Sequence, residues 1–155
     1  MKKLTRAGVL VLALALCLSL AACGGGESKT IDINALAEEL VNAATFGEPM
    51  NALDSSVALG LYGCAEGTSV CAYAGTGATA EEVAVFDCGS SDAAAALVSS
   101  LTQRNETRIS QYSSYNPTEV PKLESAVIMQ GGQYVVLIVA ADNSAARTIA
   151  ENQLG

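Results

Sequence analysis

The chain has 155 residues, of which 50% are hydrophobic, 15% charged and 5% aromatic, which is typical of one folded domain and excludes a fully disordered protein. Histidine and tryptophan are absent, and this excludes every mechanism that needs an imidazole base or a histidine metal ligand. The net charge of −8 argues against nucleic-acid binding, which depends on neutralising phosphates, so we expect no nucleic-acid partner.

The first 22 residues have the form of a secretory signal. Lys2, Lys3 and Arg6 make a positive segment, and residues 8–20 form an apolar run. That run is shorter than the roughly 20 residues that a membrane span needs, and it suits a signal that is removed. Three of the eight basic residues lie in this segment, whereas all 16 acidic residues follow Cys23, so the remaining chain has a net charge of −11.

The signal ends in Leu-Ala-Ala-Cys-Gly-Gly-Gly at residues 20–26, which resembles the bacterial lipobox. The resemblance implies cleavage before Cys23, which then carries a lipid on its sulfur and anchors the protein to the extracytoplasmic face of the cell membrane. Ordinary signal cleavage, which releases a secreted protein, is the alternative. We therefore expect a signal peptide at residues 1–22, a lipidated cysteine and flexible tether at 23–30, and one domain at 31–155.

The domain is predicted to open with two helices. The first is capped by Asp32 or Asn34, has apolar residues at helical spacing, and stops before Gly47. The second runs over about residues 54–62 and ends at Gly63.

Two strand–strand–helix units are predicted to follow. Their apolar strand-like runs are residues 70–74 and 83–86 in the first unit, and 126–129 and 134–140 in the second. The helix of the first unit is capped within residues 90–92 and extends to about Tyr112. The helix of the second unit is capped by Asp142 or Asn143. Gly131-Gly132 indicates a tight hairpin. This order predicts an α+β fold with a four-stranded, mostly antiparallel sheet and helices on one face.

Three cysteines remain once Cys17 leaves with the signal and Cys23 is lipidated. Cys64, Cys71 and Cys88 allow one disulfide at most, Cys64–Cys71 or Cys71–Cys88, and small buried apolar side chains are the alternative. Their spacing does not match zinc-ligand patterns, and no basic neighbour in sequence lowers a thiol pKa. We expect no metal site, no cofactor and no catalytic thiol.

One segment stands out as a candidate binding loop. Residues 115–122 contain Pro117 and Pro121, which predict a stiff loop between a helix and a strand, with turn formation as the alternative. We expect Glu119 and Lys122 to lie on its surface. A pocket that gathers Tyr62, Glu82 and this loop would favour a binding function. The candidate binding residues are therefore Tyr62, Glu82, Tyr115, Asn116, Glu119 and Lys122.

Four phrases in order support a family resemblance. They are Val-Ala-Leu-Gly-Leu-Tyr-Gly at residues 57–63, Gly-Ala-Thr-Ala-Glu-Glu-Val-Ala-Val-Phe at 77–86, Tyr-Asn-Pro at 115–117 with Val-Pro-Lys-Leu-Glu at 120–124, and Gly-Gln-Tyr-Val at 132–135. Over about residues 33–151 the chain resembles the bacterial lipoprotein family with domain of unknown function 4358. The resemblance implies a Gram-positive surface lipoprotein with a small α+β domain, and it implies no activity or catalytic residue.

These observations favour a membrane-anchored binding or interaction module with an envelope protein or a small molecule as its partner. Two alternatives remain open. One is an envelope enzyme that uses carboxylate or thiol chemistry, although no such constellation is visible in the sequence. The other is a structural surface lipoprotein.

Overall fold

The computed structural model describes residues 29–155. Within these residues, five strands form a single sheet in which all neighbouring strands are antiparallel. The strands are β1 (Asn51–Ala52), β2 (Ser69–Ala74), β3 (Glu82–Asp87), β4 (Val127–Gly131) and β5 (Tyr134–Val139), in the spatial order β1-β2-β3-β5-β4. The helices are α1 (Ile33–Ala43), α2 (Ser55–Tyr62), α3 (Ser91–Tyr115), α4 (Val120–Glu124) and α5 (Ser144–Leu154).

The predicted α+β class and the two strand–strand–helix units are confirmed, but the sheet differs from the prediction in two respects. It has a fifth strand, β1, which is too short to leave a periodic signal. Helices also cover both of its faces, because all of β5 and nearly all of β3 are buried on both sides. A strand that is buried on both faces has a continuous apolar sequence, and its burial requires a layer of helices on each face of the sheet.

Two cores follow from this three-layer arrangement. On the side that we call the α3 face, helices α2, α3 and α4 pack on Phe86 and Leu137. On the opposite side, the α1 face, helices α1 and α5 pack on Val85 and Ile138.

Local signals define most helix ends as predicted. The Asp32 carboxylate accepts hydrogen bonds from the backbone N–H groups of Asn34 and Ala35 at the start of α1. The Ser90 hydroxyl caps α3 in the same way. Helix α2 ends at Gly63, whose φ of 63° is in the left-handed region that favours glycine.

The segment between α3 and β4 is helical rather than the stiff loop that we predicted. A 3₁₀ turn at Pro117–Glu119 leads directly into α4. Pro117 begins the turn, where a missing N–H is tolerated. A residue before a proline usually has an extended backbone, but Val120, which precedes Pro121, has helical φ and ψ of −56° and −44°, so the helix continues through this position.

The sheet has two distinct ends. At one end Asp87 pairs with Tyr134, and the Tyr134 hydroxyl accepts a hydrogen bond from the backbone N–H of Ile31 at 3.2 Å. We call this the entry end, because the described chain begins there. At the other end Glu82 pairs with Val139. We call it the distal end, and it carries the β2–β3 connection and the segment at residues 115–122.

The predicted signal peptide, the predicted lipidation site Cys23 and residues 24–28 of the predicted tether lie outside the described residues. From residue 29 onward, none of the helices is long and apolar enough to cross a membrane.

Candidate functional site

The distal end contains a buried carboxylate with four donors around it. Glu82, the first residue of β3, is only 3% exposed. Its carboxylate lies 2.7 and 3.1 Å from the two terminal nitrogens of Arg104, and it also pairs with Arg108. The Tyr62 hydroxyl donates to it at 3.2 Å, and the Arg104 guanidinium stacks over the Tyr62 ring. A buried carboxylate is compensated in this way by charge-assisted hydrogen bonds.

This environment shifts two pKa values. Burial raises the pKa of Tyr62 well above its ordinary value, and the negative charge of Glu82 raises it further. Burial is the largest single influence on Arg104 and lowers its pKa, but the hydrogen bond to Glu82 and the negative charge of that carboxylate together raise the pKa above its ordinary value. Both side chains therefore keep their protons throughout the physiological range.

A second ionic cluster lies beside the first. Lys122 places its ammonium 2.9 Å from Glu81 and 2.9 Å from Glu119, both of which are buried. The backbone N–H of Gly47 also donates to the Glu81 carboxylate, with its nitrogen 2.8 and 2.9 Å from the two carboxylate oxygens. Burial would lower the pKa of Lys122, but its hydrogen bonds to the two carboxylates raise it above its ordinary value.

Adjacent Glu81 and Glu82 thus belong to separate clusters. The prediction that Glu119 is exposed is wrong, because its side chain turns inward and accepts a hydrogen bond from the backbone N–H of Ala80 at 2.9 Å. The 3₁₀ turn at residues 117–119 supplies the bend that directs this side chain into the protein. Lys122 is only partly exposed, since the two carboxylates hold it.

Helix α3 and the residue after it hold four successive carbonyl groups of the β2–β3 connection. Each carbonyl accepts a hydrogen bond from a different side chain: Gly77 from Tyr115, Ala78 from Asn116, Thr79 from Tyr112, and Ala80 from Arg108. The distances range from 2.9 to 3.5 Å. This contact orders a connection that would otherwise be a flexible, glycine-containing loop.

A half-buried carboxylate completes this end of the protein. Glu48 accepts hydrogen bonds of 2.5 Å from the hydroxyl groups of Thr76 and Thr79. These bonds lower the pKa of Glu48 from 4.5 to about 2. A methyl group at Gly75 would approach the Glu48 carboxylate to 2.3 Å, so a larger residue at this position would displace that side chain.

The structure therefore brings the six candidate binding residues to one end of the sheet. Tyr62, Glu82, Glu119 and Lys122 are enclosed by ion pairs, whereas Tyr115 is 65% exposed. A cavity of about 440 Å³ lies at the entry end instead, and none of the six lines it. With every buried carboxylate paired to a cation, the cluster is suited to holding the loops and presents no free general base.

Arg104, Arg108 and Tyr112 were missed by sequence reasoning. They follow Leu97 and Leu101 on the stripe of α3 that packs on the sheet, at spacings of three and four residues. Basic residues at buried helical positions indicate buried acidic partners, and this was the signal that the sequence contained.

The three cysteines are free thiols. Cys64 and Cys88 belong to the core of the α3 face and Cys71 to that of the α1 face. Neither of the two bridges considered, Cys64–Cys71 and Cys71–Cys88, is formed, because the sheet lies between Cys71 and the other two thiols. The alternative, cysteines that pack as small apolar side chains, is the one observed. Burial raises the pKa of all three thiols, to about 11 for Cys88, so none is activated. Among residues 29–155, no three potential metal ligands come together.

A family model described as Domain of unknown function (DUF4358) matches residues 66–140. The match begins after α2 and covers β2 to β5, together with the arginines, the lysine and the three carboxylates of the two ionic clusters. It confirms the family resemblance over a shorter range than predicted. No curated protein and no solved structure matches the chain.

Proposed function

We propose that the protein, whose residues 66–140 match the family model for domain of unknown function 4358, is a lipid-anchored binding module. It acts at the extracytoplasmic face of a bacterial cell membrane, and its partner is an envelope protein or a small molecule. The lipid is attached to Cys23, and the domain from residue 31 onward presents the binding surface.

The sequence before the domain supports the anchor. The apolar run at residues 8–20 is followed directly by a lipobox-like sequence that places Cys23 before three glycines, as expected for a lipidated cysteine. Two or three acyl chains hold a protein durably, since each buried methylene contributes about 0.8 kcal/mol. The seven small and polar residues 24–30 have a reach of about 15 Å, which keeps the domain near the membrane.

The observation that carries the proposal is the position of the two ends of the sheet. Ile31 lies at the entry end, beside Tyr134, so an anchor attached through the tether holds this end toward the membrane. The distal end, with Tyr115 exposed, then faces away from it. The two ionic clusters beneath this surface fix its loops, and a fixed surface loses less conformational entropy on binding.

Anchoring and binding are tested separately. Cys23→Ala is expected to release the protein from the membrane fraction into the medium, and unchanged partitioning would contradict the anchor. For binding, a photo-crosslinking amino acid is placed at Tyr115 on the distal end, or at Asn152, an exposed residue of the entry end, as the matched control. We expect a discrete crosslinked partner in intact cells from position 115 and none from position 152. The same products from both positions, or none from either, would contradict a distal binding surface.

A further inference from the structure

Strand β4 is an open edge of the sheet. Gly131 and Tyr134 close a two-residue turn in which Gly132 has a φ of 57°, so they form a hydrogen-bonded pair. The alternation along an antiparallel ladder then directs the backbone groups of Met129 toward β5, and those of Ile128 and Gln130 away from the sheet. Within residues 29–155, no strand pairs with this outer side.

The edge lacks the features with which proteins usually block strand addition. Its sequence, Val-Ile-Met-Gln-Gly, contains no charged residue and no proline. Ile128 and Met129 are half-buried on opposite faces, and Gln130 is exposed. The other edge, β1, has only two residues, so it offers little backbone to a partner.

The charge of the surroundings selects the partner. Residues 29–155 contain 15 acidic and five basic side chains. Three of the five basic side chains form ion pairs with buried carboxylates: Arg104, Arg108 and Lys122. Acidic side chains therefore greatly outnumber basic ones on the outer surface. Exposed acids also flank the edge: Asp92 follows Ser91, whose carbonyl accepts a hydrogen bond from Gln130, and Glu124 lies three residues before Val127.

We propose that β4 binds an extended, basic segment of a partner protein, which adds to the sheet as an antiparallel strand. The segment donates to and accepts from the backbone groups of Ile128 and Gln130. Its residues alternate, with apolar side chains beside Met129 on the α1 face and basic side chains on the α3 face, near Asp92.

A second copy of the chain is the other occupant that such an edge admits. Antiparallel pairing of β4 with the β4 of a second copy turns the two entry ends in opposite directions. Two copies anchored in one membrane would both need that end toward the lipid, so the choice of a partner segment rests on the proposed anchoring. Like charges on the two acidic copies oppose this pairing as well.

The probe is the synthetic peptide Lys-Val-Lys-Val-Lys-Val-Lys, added to the full chain purified in nonionic detergent. We expect the amide protons of Ile128 and Gln130 to exchange with solvent about tenfold more slowly when the peptide is bound. The amide of Met129, which faces β5, changes little. A peptide of the same sequence and charge with every second amide N-methylated is expected not to bind.

Gln130→Lys and Gln130→Glu form a matched pair of variants, since both remove the same side-chain amide at an exposed position. We expect the lysine variant to bind the peptide at least about threefold more weakly than the glutamate variant. If the N-methylated peptide binds as tightly as the unmodified peptide, the attraction is between surface charges alone and the proposal is overturned. It is also overturned if the unmodified peptide does not bind. A dimer in sedimentation, with both edge amides protected before peptide is added, assigns the edge to a second copy. None of these outcomes bears on the release of Cys23→Ala from the membrane.

Discussion

Glu82 and Arg104 form a two-pronged ion pair between the first residue of β3 and the middle of α3, with nitrogen–oxygen distances of 2.7 and 3.1 Å. The carboxylate is almost fully buried, and the guanidinium retains 22% of its side-chain exposure. The pair joins the sheet to the longest helix at the distal end. Its removal therefore tests whether the cluster holds this end together.

Glu82→Ala is expected to lower the free energy of unfolding by about 3–5 kcal/mol, because it leaves two arginines buried without a counter-charge. Urea denaturation measures the change. Glu106→Ala, at an exposed position on the same helix, is the control and is expected to stay within about 0.5 kcal/mol of the parent. A loss below about 1 kcal/mol for Glu82→Ala would show that the ion pairs contribute little.

Tyr62 predicts a loss of stability at alkaline pH. Its pKa is raised in the folded protein, so the unfolded chain loses the phenolic proton first as the pH rises. The contribution of this group is complete below pH 10 and decreases above it, by up to about 1.4 kcal/mol per pH unit. Tyr62→Phe keeps the edge-on ring contact with Phe86 and is expected to show a shallower decline in urea midpoints between pH 9 and pH 11. Parallel declines would exclude Tyr62 as the cause.

The lowered pKa of Glu48 predicts a loss of stability at acidic pH. Its pKa is lowered from 4.5 to about 2, so its contribution to stability is present above pH 4.5 and disappears as the pH falls through about 2. Carboxyl chemical shifts followed by NMR are expected to titrate near pH 2 in the parent. Replacing the two donors, in Thr76→Val with Thr79→Val, is expected to return the titration toward 4.5. An unchanged titration in that double variant would assign the shift to another cause.

The distal end predicts that Tyr115 and Glu119 respond differently to substitution. Tyr115→Ala removes an exposed ring and is expected to change the melting temperature little. It is also expected to reduce crosslinking to a partner when the photo-crosslinking amino acid is placed at Thr118, another exposed residue of the distal end. Glu119→Ala leaves the N–H of Ala80 without its acceptor and is expected to cost about 2–4 kcal/mol. Thermal melts of the two variants measure this. Equal destabilisation would mean that Tyr115 also supports the fold.

Because the three cysteines are free, we expect three accessible thiols in the unfolded domain. In the folded domain we expect them to react slowly with a thiol reagent. Burial raises the pKa of each, so little thiolate is present at pH 7. Thiol titration in urea is expected to give three groups from Cys64, Cys71 and Cys88, without prior reduction. A peptide map under non-reducing conditions that contains a Cys64–Cys71 link would contradict the separation of these residues by the sheet.

What could be read from the sequence was local. The Asp32 and Ser90 caps, the Gly63 stop and the Gly132 turn each depend on residues within a few positions of one another, and the amino-acid types specify them directly. Three of the four family phrases lie within residues 66–140, the range that the family model matches. The same local signals were sufficient for the α+β class and for the two strand–strand–helix units.

Only the tertiary structure decided which faces the helices cover and which charges meet. The partners of Glu82 lie 20 to 26 residues away, and Glu119 reaches back 39 residues to Ala80. No periodic pattern specifies such distances, because a buried charge is tolerated only where folding brings its counter-charge to it. For the same reason Glu119, polar and next to a proline turn, was predicted to be exposed, and the packing of α3 on the sheet made it part of the interior.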